Sequence, residues 1–132
     1  MKESGPEVQR EKAVFGRVQS HPAVVQFLQL LETDSDLHKL PLNALARRIG
    51  VSTSHLQHLV RRDLGTTCRQ LIRSKCVERL SRLLHEHPEQ TIEEIAYRYG
   101  YEPQTMYRHF TAVLGINPSA VRRGEVPSLR RN

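Results

Sequence analysis

Apolar residues fall into helical stripes along most of the chain, and nowhere into the alternation of a strand. Val24, Phe27, Leu28 and Leu31 stand at i, i+3, i+4 and i+7 behind His21-Pro22, predicting an amphipathic helix with Pro22 in its first turn. Thr33 to Lys39 reads as a polar connector. Pro41 opens a short helix, Leu42 to Ile49, with Leu42, Leu45, Ala46 and Ile49 on one face and Gly50 as its left-handed stop. Ser52 is placed to cap a helix over Thr53 to Leu64, buried along Leu56, Leu59 and Val60 and ended by Gly65. A longer helix covers 68–86, with Ile72, Cys76, Leu80, Leu83 and Leu84 on one face, and Pro88 stops it. Thr91 and Glu94 form a capping box for the next helix, whose apolar face is Ile92, Ile95, Ala96 and Tyr99 up to Gly100. Pro103 starts another, carrying Met106, Phe110, Val113 and Leu114 before Gly115. Asn117-Pro118 caps a last short helix near Ser119 to Arg123. The fold class is therefore all-α, with about seven helices.

Two of these segments match at an offset of fifty residues. Leu42, Leu45, Ala46, Arg48 and Gly50 line up with Ile92, Ile95, Ala96, Arg98 and Gly100; Leu56, Val60, Leu64 and Gly65 line up with Met106, Phe110, Leu114 and Gly115. Each copy reads as helix, tight turn, helix. The alanine is small because the second helix crosses the first there, and the glycine four residues later supplies the positive φ of the turn. The later apolar positions pack the second helix back onto the first. This is the logic of the helix-turn-helix, whose second helix is left free to enter a major groove. The expected organisation is an N-terminal arm over 1–20 with a helical turn around Val14 to Val18, a first lobe over 21–66 and a linker helix over 67–87. A second lobe over 88–123 and a loose tail over 124–132 complete it.

Charge sharpens that reading. Lys and Arg number 20 against 14 Asp and Glu among 132 residues, for a formal net charge of +6 and a pI near 9.8. A polyanionic partner, nucleic acid or an acidic membrane surface, fits that balance, and the excess is mostly arginine, which suits phosphate forks and guanine edges. No apolar run approaches the roughly 20 residues of a membrane span. The N-terminal stretch MKESGPEVQREK has no signal-peptide core. Two cysteines make no disulfide framework, so a reduced, cytoplasmic setting is expected.

The stretches LNALARRIGVSTSHLQHLVRRDLG, LIRSKCVERLSRLL, TIEEIAYRYGYEPQTMYRHF and GINPSAVRR, from about Pro22 to Arg123, resemble the DNA-binding domain of the AraC/XylS family of bacterial transcription regulators. The resemblance implies two homeodomain-like helix-turn-helix lobes joined by a long linker helix, with both second helices entering successive major-groove faces on one side of the DNA. It implies double-stranded DNA and RNA polymerase as partners, no membrane, a nucleoid-associated place in a bacterial cytoplasm, and regulation of transcription. There is no room for the separate sensing and dimerisation domain of many members. The chain therefore resembles the small single-domain regulators, acting as a monomer, or an excised DNA-binding domain that dimerises through a missing partner domain. It departs from the family at Cys68, Cys76, Leu80 and Tyr101, and in a spacing from Gly100 to Met106 one residue shorter than usual.

The outer face of the first recognition helix presents Ser54, His55, Gln57, His58 and Arg61; that of the second presents Gln104, Thr105, Tyr107, Arg108 and Thr111. Ser54, Gln57, His58, Gln104, Thr105, Tyr107 and Arg108 occupy the base-reading positions that the resemblance implies. Arg108 is the best guanine candidate, with Gln57 its comparable residue on the first helix. Arg47, His55, Arg61, Arg62, Arg73, Lys75, Arg98 and Thr111 are candidates for phosphate. Tyr107 is also open to packing on the neighbouring lobe, and His109, aligned with Leu59, belongs to the core edge.

Other chemistries are poorly supplied. His55 and His58, or His85 and His87, lack a second ligand pair, and no metal or cofactor is expected. Two cysteines cannot furnish the four-cysteine zinc domain of the family's DNA-repair members. Cys76 is expected as a small buried hydrophobe. Cys68 stands near a helix start, where a thiol pKa can be lowered and a redox role opened. No nucleophile–base pair or phosphate-cradling loop marks an enzyme. The alternative to DNA regulation is a helical protein-interaction module without specific DNA reading.

Overall fold

A computed structural model describes residues 20–33 and 37–125. Seven α-helices follow one another among these residues: α1 (Pro22–Thr33), α2 (Leu42–Ile49), α3 (Thr53–Leu64), α4 (Cys68–Glu86), α5 (Ile92–Arg98), α6 (Pro103–Leu114) and α7 (Pro118–Arg122). The connector after α1 is not uniformly irregular, because Leu37–Lys39 forms one turn of 3-10 helix. No strand occurs among the described residues. The helical turn expected around Val14 to Val18, and the tail beyond Glu125, lie outside them.

The described residues group into two units, one up to Leu71 and one from Ile72 onward. The boundary falls inside α4. The linker helix expected over 67–87 therefore gives its first turn to the first unit and the rest to the second.

In the first unit α1 packs on both α2 and α3. Val24, Phe27, Leu45, Leu56 and Val60 are fully buried, with Ala46 beside them. The start of α1 is tied down by polar groups. The His21 amide donates to Asp63 Oδ2 at 2.9 Å, and the Ala23 amide donates to His21 Nδ1 at 3.0 Å. Arg62 Nε donates to the other Asp63 oxygen at 2.8 Å. The Arg62 guanidinium, and next the His21 amide, hold the Asp63 carboxyl below the usual carboxylate range. Cys68 is buried here as well, and burial pushes its thiol up to about 11. The helix start does not win: desolvation of the thiolate outweighs it, so the Cys68 pKa moves up rather than down, against the lowered thiol pKa that the sequence left open.

The second unit has its own core of Val77, Leu80, Leu84, Ile95, Ala96, Met106, Phe110 and Val121, with Cys76 and Tyr101 at its edge. Val77 is missing from the stripe read for α4, yet it is fully buried. Tyr101 is buried too; its hydroxyl bonds the Cys76 thiol, and burial raises both pKa values. His109 stands edge-on to the Tyr101 ring at 5.7 Å between centroids. The last turn of α4 is capped from α7. Arg122 donates to the carbonyls of Leu84 at 3.3 Å and His87 at 3.0 Å, and His85 Nε2 lies 2.8 Å from the Val121 carbonyl.

The offset of fifty residues holds at the level of backbone bonds. Gly50 and Gly100 take φ of 101° and 79°. Next to them, the Val51 amide donates to the Ala46 carbonyl at 3.1 Å and the Tyr101 amide to the Ala96 carbonyl at 2.8 Å. Ala46 and Ala96 are buried in both lobes. The repeat reaches one element further than the sequence match. Thr67 Oγ1 accepts from the Gln70 amide, and Asn117 Oδ1 accepts from the Ala120 amide, so the starts of α4 and α7 are capped at equivalent positions.

Candidate nucleic-acid interface

α3 and α6 are the second helices of the two turns, and each is fixed by its buried stripe. Leu56, Leu59 and Val60 hold α3; Met106 and Phe110, both fully buried, hold α6. Ser52 caps α3 by accepting from the His55 amide at 3.0 Å. α6 starts instead at Pro103, whose fixed φ suits a first helical turn. Both helices are twelve residues long and end at a left-handed glycine, Gly65 and Gly115.

The opposite stripes face solvent. On α3, Ser54, His55, Gln57, His58, Arg61 and Arg62 are exposed, although Arg62 is drawn to Asp63 at 2.8 Å. The His55 ring meets the His21 ring edge-on at 5.8 Å. On α6, Gln104, Arg108 and Thr111 are exposed, while Thr105 and Tyr107 are half-buried. Arg108 Nη2 donates to Thr105 Oγ1 at 3.4 Å, a long bond that leaves the guanidinium available. Gln104, Tyr107, Arg108 and Thr111 stand at i, i+3, i+4 and i+7 and line one open groove of about 640 Å³ with Pro103, Ala112 and Glu93. Glu93, on the first turn of α5, was not among the residues read from sequence. Nothing in a linear pattern places it beside α6.

The equal registers correct one pairing. The residue of α3 that stands where Arg108 stands in α6 is His58, and the counterpart of Gln57 is Tyr107.

The remaining phosphate candidates are distributed more widely. Arg47 and Arg98 are exposed at the ends of α2 and α5, and the Arg98 guanidinium lies 5.8 Å from the Tyr99 ring centroid. Arg73 and Lys75 lie on α4 and are half-buried; the Lys75 ammonium is 3.0 Å from Glu78. Among the described residues, no three His, Cys, Asp or Glu side chains converge on a metal-sized site. His85 is engaged by Val121 and His87 by Glu89 at 3.3 Å. No described helix is long and apolar enough to cross a membrane.

Twin helix–turn–helix frames with polar outer stripes define a tandem helix-turn-helix protein. A helix-turn-helix domain family matches residues 45–124, which covers most of both frames. The HTH-type transcriptional regulator GlxA of Rhizobium meliloti (strain 1021) is 33% identical over 105 residues, 79% of this chain and 32% of that regulator. The chain thus spans about a third of the length of that relative. The C-terminal domain of AraT, a response regulator from Geobacillus stearothermophilus, superposes with a TM-score of 0.71 at 25% identity, over 86% of this chain and 94% of that one. The chain belongs to the AraC family of helix-turn-helix transcription regulators.

Proposed function

We propose that the chain binds double-stranded DNA in a sequence-specific way through the outer stripes of α3 and α6, and thereby regulates transcription. The observation that carries this reading is the contrast across α6. Met106 and Phe110 are sealed in the core, while Gln104, Arg108 and Thr111 are left to solvent along one groove. A helical interaction module would spend such a stripe on apolar side chains; this one carries an amide and a guanidinium, which pair with base edges, and a hydroxyl, which suits phosphate.

In this reading Ser54, Gln57, His58, Gln104, Thr105, Tyr107 and Arg108 meet bases. Arg47, His55, Arg61, Arg62, Arg73, Lys75, Arg98 and Thr111 meet phosphates, Lys75 after exchanging Glu78 for DNA. The two stripes differ in sequence, so a single chain reads an asymmetric site, and RNA polymerase is the partner through which transcription responds. Selection of bound duplexes from random DNA, followed by a salt titration of the recovered site, tests the proposal. With about five to eight phosphates neutralised, log affinity should fall against log salt with a slope of about −5 to −7. A flat salt dependence, or no enrichment over random sequence, refutes it.

A further inference from the structure

The groove along α6 holds one group that does not belong with phosphate attraction. Glu93 lines it together with Gln104, Tyr107, Arg108 and Thr111. Its neighbour Glu94 is occupied: the Glu94 carboxylate accepts from the Thr91 amide at 2.8 Å as half of the capping box. The Glu93 side chain is exposed and makes no hydrogen bond or ion pair among the described residues. At the offset of fifty, the first lobe has the neutral Asn43 in its place.

We propose that Glu93 is a specificity-determining residue of the second lobe, one that weakens binding to DNA whose bases do not match. The inference rests on the DNA-binding reading above. Non-specific affinity is almost wholly phosphate attraction. A carboxylate beside the approach path opposes that attraction on every duplex, matched or not. On a matched site the side chains of α6 are seated on base edges, and their fixed contacts hold the backbone in one register, clear of the carboxylate. On unmatched DNA the backbone samples all registers over the groove, and many bring phosphate against Glu93. The carboxylate therefore costs unmatched duplexes more than matched ones, which is discrimination by repulsion.

The test uses the full chain with Glu93→Gln, Glu93→Asp and Glu94→Gln, each checked for unchanged melting. Affinity is measured at one salt concentration on the duplex recovered by selection and on a random-sequence duplex. Glu93→Gln should bind the random duplex about three- to tenfold more tightly and the selected site less than about twofold more tightly, so the ratio falls. Glu93→Asp keeps the charge and should keep the ratio. Glu94→Gln removes the same net charge and still accepts the capping bond, so it reports the effect of net charge alone and should leave the ratio unchanged. An equal gain on both duplexes, an equal fall in ratio for Glu94→Gln, or no change for Glu93→Gln overturns the proposal while leaving DNA binding intact. Absence of any preference in the unsubstituted chain overturns the DNA-reading proposal itself, and this one with it.

Discussion

Between Leu42 and Leu64 the first helix pair carries four arginines against one aspartate, and that aspartate is engaged by Arg62. Between Ile92 and Leu114 the second pair carries two arginines against three glutamates. Their frames are the same: alanine at the crossing, glycine at the turn, and an equal count of residues to the first buried position of the second helix. Apolar and small residues thus fix the shape of a helix-turn-helix, and its outer surface is free to vary. On the proposal above, the first pair supplies most of the phosphate attraction. The second relies on fewer contacts and discriminates more sharply.

The shared frame can be broken from inside. Phe110 is the largest fully buried side chain of the second helix pair, and its counterpart in the first is Val60. Phe110→Ala should cost about 3–5 kcal/mol, since it removes a buried ring and leaves a cavity. Val60→Ala deletes only two methyl groups and should cost clearly less. Urea unfolding with matched slopes gives both numbers. Equal losses would show that the two positions are not structurally equivalent.

Overfilling the crossing probes the same frame from the other side. Ala46→Leu and Ala96→Leu should each lower stability by about 1–3 kcal/mol, because the partner helix leaves no room for three more carbons. Melting temperatures unchanged in both would remove the basis for treating the lobes as copies.

This frame was legible because its signals are local. Ser52, Thr91 and Asn117 announce helix starts by hydrogen bonds within three residues, and Gly50 and Gly65 announce their ends by backbone conformation. What escaped was decided by distant partners. α4 contributes its first turn to one unit and its remainder to the other, and Val77, off the one stripe read for this helix, is fully buried in the second. Tyr101 read as a deviation from a family pattern, whereas it is buried against Cys76, twenty-five residues earlier in the chain. Glu93 reached the α6 groove through the turn, which periodicity along either helix does not encode.

The outer faces are compared by binding. Arg108→Ala should lose about 1–3 kcal/mol on the selected duplex and much less on random sequence, since random DNA offers no matched edge to lose. His58→Ala, its true counterpart, and Gln57→Ala apply the same assay to the first lobe. Arg61→Ala should instead weaken both duplexes alike and make the salt slope shallower by about one. If Arg108→Ala behaves like Arg61→Ala, the second lobe holds phosphates and the division of labour is wrong.

The smallest expected effect separates the lobes by pH. Among the described residues, each unit has one carboxyl held below its ordinary range: Asp63, by Arg62 and the His21 amide, and Glu89, by its own backbone amide and His87. A carboxyl whose folded pKa is depressed adds stability above its unfolded pKa, near 3.9 for Asp, and loses it as pH falls through the folded value. Both therefore act at the acid end, below about pH 4. They differ in span. Asp63 joins the start of α1 to the end of α3 across forty-two residues, whereas Glu89 bonds within its own turn. Asp63→Asn should thus flatten the acid limb of the stability curve, at a small neutral-pH cost because Arg62 is largely solvated. Glu89→Gln should leave the curve nearly unchanged. Urea midpoints between pH 3 and pH 7 give the comparison, with the His21 amide resonance as a local reporter for the first lobe. A flattening produced by Glu89→Gln and not by Asp63→Asn would place the acid-sensitive contact in the second lobe and reverse the assignment.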